Sequence, residues 1–224
     1  MSSLDKERRQ VIETARRMNT LGINVNKSGN VSLRAVLDGT EGFLITPTGI
    51  DYEELETEDI VFVAFEEDKR FDVFNQRLPS SEWMMHEAIF KCRPDLSAIV
   101  HTHSAYATAL ACQELSIPAF HYMVATAGGR SIECAPYALF GTKELADVAA
   151  EALCRCNACL LSHHGVLAGE KDLKKALKLA HEVENLAHMY ILTRLLGEPK
   201  ILTQQQMSDV LIRFQTYGQQ REKK

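Results

Sequence analysis

Apolar residues recur along this chain with two periods. Between about residues 4 and 21, Val11, Ala15 and Met18 return at helical spacing and Gly22 follows, so the stretch reads as a helix with a glycine stop. Short apolar runs come next. Val31-Ser32-Leu33 alternates, while Phe43-Leu44-Ile45 and Ile60-Val61-Phe62-Val63 are continuous, and each is bounded by the Gly, Pro or acidic residues that flank strands. The segment from Glu66 to Arg77 is charged and predicts an exposed loop or ragged hairpin. Ser80-Ser81-Glu82 opens a helix that Pro94 ends, with serine as N-cap and glutamate in the first turn. Ala98-Ile99-Val100 then leads a strand into His101-Thr102-His103. Helices around 105–113, 142–155 and 172–196 alternate with short apolar runs at 131–135 and 159–168, and a last helix covers about 204–217. No Pro/Gly/Ser-rich linker interrupts the pattern, which predicts an α/β fold with one central sheet in a single domain over 1–224.

A hydrophobic fraction of 46% is ample for a sizeable core. The formal charge of -5 argues against a general nucleic-acid binder, although a local cationic pocket can still hold an anion. The first nine residues lack the apolar core of a signal peptide, and no apolar run approaches membrane-spanning length. A soluble cytoplasmic protein is expected, with neither nucleic acid nor membrane as partner. Its six cysteines then read as reduced thiols. Cys154-x-Cys156-x-x-Cys159 has a ligand-like spacing, but it joins a helix to a strand and is assigned to packing.

Chemistry concentrates in the histidines. Two imidazoles at i and i+2 on a strand point to one face, close enough to grip one metal ion. A third is available in His163-His164-Gly165, where another apolar run ends. Three neutral nitrogens and an open position make a Lewis acid. Three turns rich in hydroxyls and amides suggest a phosphate cradle: Lys27-Ser28-Gly29-Asn30, Thr46-Pro47-Thr48-Gly49, and Ser80-Ser81 at a helix N-terminus. Each alone is an ordinary cap or turn, so their weight is joint. Glu82 lies where the phosphate and metal sites would meet. It could serve as general acid/base if burial raised its pKa, or fill the fourth metal position.

Gly29-Asn30-Val31-Ser32, Thr46-Pro47-Thr48-Gly49, Pro79-Ser80-Ser81-Glu82-Trp83, His101-x-His103, His121-Tyr122-Met123, Cys134-Ala135-Pro136-Tyr137 and His163-His164-Gly165 occur in an order that resembles the class II aldolase/adducin family. The resemblance runs from the first helix to Tyr217-Gly218. It implies a central mixed or antiparallel sheet flanked by helices. It also implies that His101, His103, His164 and Glu82 bind one divalent ion per subunit, Zn2+ ahead of Mn2+ or Co2+, with His163 facing the other way. Glu82 would be the catalytic acid/base, and Asn30, Thr48, Gly49, Ser80 and Ser81 would hold the substrate phosphate. Tyr122 would reach the aldehyde end of a neighbouring subunit's substrate in a homotetramer with interfacial sites, and Phe140 and Tyr217 would shape the pocket wall.

The activity implied is reversible cleavage of a deoxyketose 1-phosphate to dihydroxyacetone phosphate and a small aldehyde. L-fuculose 1-phosphate leads, and 5-deoxyribulose 1-phosphate is the alternative. A sugar-phosphate 4-epimerase of the same family would carry aspartate at position 82, and a noncatalytic adducin-like module would not require the full histidine and glutamate set. Lys27, Glu133 and the segment from Glu66 to Arg77 depart from the family pattern.

Overall fold

A computed structural model describes residues 4–66 and 77–214 of the chain. Seven strands form one sheet in the order β3-β2-β1-β4-β7-β6-β5. They are β1 (Asn30–Leu37), β2 (Thr40–Ile45), β3 (Val61–Ala64), β4 (Ala98–Thr102), β5 (Cys134–Ala135), β6 (Ala158–Leu161) and β7 (Gly165–Glu170). Every pairing is antiparallel except β5 with β6, which is parallel, so the sheet is mixed.

Helices cover both faces, which is why the strands read as near-continuous apolar runs. Strand alternation sorts their residues. Val31, Leu44, Phe62, Val100, Leu160 and Val166 pack with α1 (Asp5–Thr20), α3 (Ala105–Ala111) and α5 (Leu173–Leu196). Their neighbours Phe43, Val61, Ile99, Cys159 and Leu167 pack against α2 (Trp83–Cys92) and α4 (Lys143–Leu153). On α1, Val11, Ile12, Ala15 and Met18 supply the buried stripe, and on α2 Met85, Ile89 and Phe90 do. The last helix, α6, runs Gln204–Phe214. No helix among the described residues is long and apolar enough to cross a membrane.

Several boundaries differ from the sequence expectation. The apolar run at 159–168 is two antiparallel strands, because the polar residues Ser162 to His164 form a turn with His163 at φ 53°. The run at 131–135 contributes only Cys134–Ala135 to the sheet, with an isolated bridge from Ile132 to Ile117. Tyr122–Ala127 is a 3-10 segment where no element was expected. Glu82 is the N-cap of α2 instead of a first-turn residue. The cause is tertiary: Pro79 bridges to Pro47 and Ser80 N–H donates to Thr46 O (3.0 Å), holding the chain extended as far as Ser80, so that Ser81 and Glu82 form the turn that precedes α2. The predicted loop at 67–76 and the predicted end of α6 at 215–217 lie outside the described residues.

Cys159 is fully buried, and Cys156 is buried with its thiol 3.1 Å from the Ala152 and Ala158 carbonyls, so both belong to the packing between α4 and β6.

Candidate active site

β1, β4, α2 and the β6–β7 turn deliver four side chains to one point. His101 is on β4, paired across the ladder with Asn30 of β1, and faces α2. His103 lies just past the end of β4, and His164 in the turn before β7. The approach of these segments requires Gly165, because a Cβ there would stand 2.4 Å from Thr102 O and 3.0 Å from the His103 ring. Gly29 is required in the same way, since its Cβ would meet His101 O at 2.3 Å. Its role is close backbone approach rather than the unusual turn expected of it, because it is not among the glycines with positive φ.

The ligand atoms of Glu82, His101, His103 and His164 all lie within 4.8 Å of one another. The three rings stand edge to face with centroids 4.8, 4.8 and 5.0 Å apart. His101 Nε2 is 2.9 Å from His103 Nε2, and Glu82 approaches His164 Nε2 to 3.0 Å through Oε1 and His101 Nε2 to 3.4 Å through Oε2. His101 Nδ1 donates to Val166 O at 2.8 Å, which leaves Nε2 with a lone pair aimed into the cluster. Burial lowers the pKa values of His101 and His103, so both are neutral donors near pH 7. The buried Glu82 Oε1, 3.0 Å from His164 Nε2, has no hydrogen-bond partner. Lone pairs converging on one another in a site sheltered from water repel unless a cation stands between them. The donor set of three imidazoles and one carboxylate therefore fits a divalent ion of the zinc type.

Of the two roles left open for Glu82, the electrostatics favour the metal-ligand form over an acid with a raised pKa. Burial alone would raise it, but His101, His164 and the Asn30 amide offset this and hold the carboxyl below the usual carboxylate range. The side chain is thus an anion, the form that ligates a metal or accepts a proton.

A pocket of about 260 Å³ opens over the cluster, lined by Glu82, His103 and His164 together with Ser28, Ser81, Tyr137, Ala138, Phe140 and His163. A buried carboxylate and three imidazoles at the floor of a cleft, with hydroxyls at its rim, match the chemistry that the motif order implied. Residues 9–191 fit the family described as Class II Aldolase and Adducin N-terminal domain. The chain belongs to this family.

Among its family relatives, the L-fuculose phosphate aldolase of Escherichia coli strain K12 is 47% identical over 215 residues, 96% of each chain. The 5-methylthioribulose-1-phosphate/5-deoxyribulose-1-phosphate aldolase of Rhodospirillum rubrum is also 47% identical, over 94% of this chain and 92% of its own. A solved L-fuculose 1-phosphate aldolase superposes with a TM-score of 0.88 at 37% identity, covering 96% of this chain and 98% of that one.

The turns expected to hold phosphate are neighbours in this family member. Lys27 Nζ donates to Gly49 O at 2.9 Å, tying the first turn to the second, and the Pro47–Pro79 bridge ties the second to the third. Ser81 lines the pocket, whereas Thr48 and Gly49 are exposed and are not among its lining residues. Ser80 and Asn30 are instead buried behind Glu82. Asn30 Nδ2 donates to Ser80 Oγ at 3.0 Å and to Glu82 Oε2 at 2.9 Å.

Phe140 is on the pocket wall and largely exposed. Tyr122 is outside this pocket, half exposed in the 3-10 segment, with its ring centroid 6.4 Å from that of Phe214. Tyr217 lies outside the described residues. The sequence reading missed Ser28, Tyr137 and His163 as lining residues, although all three sit inside motifs it had singled out. His163, which the resemblance sets facing away from the ligand position of His164, is outside the cluster of Glu82, His101, His103 and His164; its ring meets Tyr137 edge to face at 6.0 Å on the pocket wall.

Proposed function

We propose that this chain is a divalent-metal-dependent aldolase that reversibly cleaves L-fuculose 1-phosphate to dihydroxyacetone phosphate and L-lactaldehyde. The observation that carries the reading is the ionised, partnerless Glu82 oxygen converging with three imidazole nitrogens at the floor of a pocket rimmed by hydroxyl-bearing turns. His101, His103, His164 and Glu82 would hold the ion, Zn2+ foremost. When bound, it would supply Lewis acidity toward the substrate carbonyl and its neighbouring hydroxyl, so that the electron pair of the breaking C3–C4 bond is accepted as an enediolate.

The chain's own residues do the rest. Ser81, Thr48 and Gly49 would anchor the phosphate, with Asn30 and Ser80 as the layer behind them. Tyr122 would assist proton loss from the C4 hydroxyl as the aldehyde forms, relaying that proton as it passes its own O–H hydrogen on. Its position outside the pocket of its own chain supports a role in a neighbouring subunit's site, hence a homotetramer with interfacial sites, in the cytoplasm. Glu82, once it has taken up a proton from solvent, would deliver it to C3 of the enediolate in cleavage. By microscopic reversibility it removes that proton from dihydroxyacetone phosphate in synthesis, a step that requires its ionised form.

A second substrate has specific support. The Rhodospirillum rubrum aldolase, whose name carries 5-deoxyribulose 1-phosphate, is as similar to this chain as the Escherichia coli enzyme. The two ketoses share the phosphate half and differ at the aldehyde half. There they differ by one CHOH unit, and an apolar wall that does not hydrogen-bond the hydroxyl discriminates by only ~1–3 kcal/mol. A coupled assay for dihydroxyacetone phosphate release from L-fuculose, 5-deoxyribulose and L-rhamnulose 1-phosphates tests the proposal. Preference for L-fuculose 1-phosphate is expected. No release from any ketose 1-phosphate by metal-loaded protein would refute it.

A further inference from the structure

His86 is fully buried on α2, one helical turn after Glu82, and the chemistry described so far makes no use of it. Its Nδ1 lies 2.6 Å from Ser32 Oγ, and its Nε2 contacts Asn30 Oδ1. Asn30 in turn donates from Nδ2 to Glu82 Oε2 and Ser80 Oγ. The two periodicities create this alignment. Asn30 and Ser32 are alternate residues of β1 and so share the face toward α2, and Glu82 and His86 are four apart and share one side of the helix.

The direction of each hydrogen bond follows from what each atom can do. An amide oxygen only accepts, so the hydrogen between His86 and Asn30 is on Nε2. A neutral imidazole then has a lone pair on Nδ1, and the Ser32 hydroxyl donates to it. With Oδ1 held by His86, both Nδ2 hydrogens of Asn30 point to Ser80 and Glu82. The flipped amide would set an oxygen against the Glu82 carboxylate and an NH2 against the His86 N–H, losing both bonds. Such a line of polar groups in a core of Met85, Ile89 and Phe90 is tolerated only because each is bonded.

We propose that His86 is a positioning residue for the metal and acid/base centre. Through Ser32, His86 and Asn30, β1 fixes which amide atom faces Glu82, so that one carboxylate oxygen is held by an N–H and the other is left aimed at the imidazoles. The proposal rests on reading the Glu82–His101–His103–His164 cluster as a metal centre.

The test compares wild type with His86→Leu, which removes the donor, and His86→Gln, whose amide N–H can stand in for Nε2–H. Zinc affinity of the folded protein is read by competition with a chromophoric chelator, and kcat and KM for the ketose phosphate are measured alongside. His86→Leu is expected to bind zinc about 10–100-fold more weakly and to lose kcat more than KM, as removal of groups behind metal ligands does. His86→Gln is expected to recover most of both. Wild-type zinc affinity in folded His86→Leu, or a glutamine variant no better than leucine at equal stability, overturns the proposal. Should His86→Leu not fold, Ser32→Ala, which removes the donor to Nδ1, is expected to weaken zinc several-fold, and unchanged affinity there overturns it equally. Failure of the wild type to bind zinc at all sinks the metal-centre reading beneath the proposal. Normal wild-type binding with unaffected variants sinks the proposal alone.

Discussion

Replacing Glu82 by glutamine should act with opposite weight on the metal-free and metal-loaded protein. The carboxylate accepts from Asn30 Nδ2 at 2.9 Å through Oε2, and its Oε1 stands 3.0 Å from His164 Nε2. A glutamine that keeps its oxygen on Asn30 places its NH2 where Oε1 was, aimed at a lone pair. Without metal, the bond from Asn30 weakens from charge-assisted to neutral, a loss of about 1 kcal/mol, and the new N–H to His164 contributes about the same. A buried anion is also removed. Chelator-treated Glu82→Gln is therefore expected to unfold in urea within about 1 kcal/mol of wild type. With metal, one charged ligand is gone. Taking the ~1.5–3 kcal/mol of a charge-assisted contact as the least cost, affinity should fall roughly 10- to 150-fold at 1.4 kcal/mol per decade. Loss of the acid/base group should lower kcat about 10²–10⁴-fold beyond that, measured at saturating zinc. Urea unfolding with and without chelator, a zinc competition titration and the dihydroxyacetone phosphate assay read the three quantities. If the metal-free variant is destabilised well beyond 1 kcal/mol, while zinc affinity and kcat stay at wild-type levels, Glu82 is structural and the reasoning fails.

Acid should destabilise the metal-free protein through His86, whose imidazole burial pushes down from 6.5 to about 4. Between those values the unfolded chain binds the extra proton, so the contribution is complete above pH 6.5 and is lost toward pH 4, amounting to about 3 kcal/mol. Urea unfolding across that range should show a shallower dependence for His86→Gln, and parallel slopes would contradict the assignment. Gly165→Ala places a Cβ 2.4 Å from Thr102 O, so the β4 end and the β6–β7 turn must separate. A stability loss of about 1–3 kcal/mol, with weakened zinc binding by the same competition titration, is expected. Glu184 accepts from the backbone N–H groups of Tyr106 and Ala107 at 2.9 Å each and so holds the start of α3 just after His103. Glu184→Ala should cost about 2 kcal/mol in thermal or urea unfolding, and a neutral result would show those amides finding other partners.

Much of the architecture was visible in the pattern because both faces of the sheet are covered. Continuous apolar runs such as 60–63 and 98–100 cannot be satisfied on a half-solvated sheet, and the stripe of Val11, Ala15 and Met18 has one buried side. The His101-x-His103 spacing pointed to the cluster of Glu82, His101, His103 and His164, and the glycine after His164 marks the place where strands crowd. What the pattern misplaced were turns and helix starts. The run at 159–168 concealed a turn, because apolar strands on either side of Ser162–His164 leave only three polar residues between them. His163 consequently faces the pocket, and Glu82 caps α2 because a bridge to Pro47, distant in sequence, holds Ser80 extended. Asn30 was expected among the phosphate-binding residues, and no local motif reveals that its amide also donates to Glu82.

By itself the sequence determined which residue types this protein can bring to chemistry and the periodicities that place them on faces. Those are local properties, set by side-chain donors and by the 2 and 3.6 residue repeats of strand and helix. Only the tertiary structure decided how they meet. The convergence of four side chains from four segments, the ionised state of Glu82 and the Ser32–His86–Asn30 line behind it depend on distances between residues far apart in the chain. Burial strengthens electrostatic and hydrogen-bonding terms there, and burial is a property of the packed molecule.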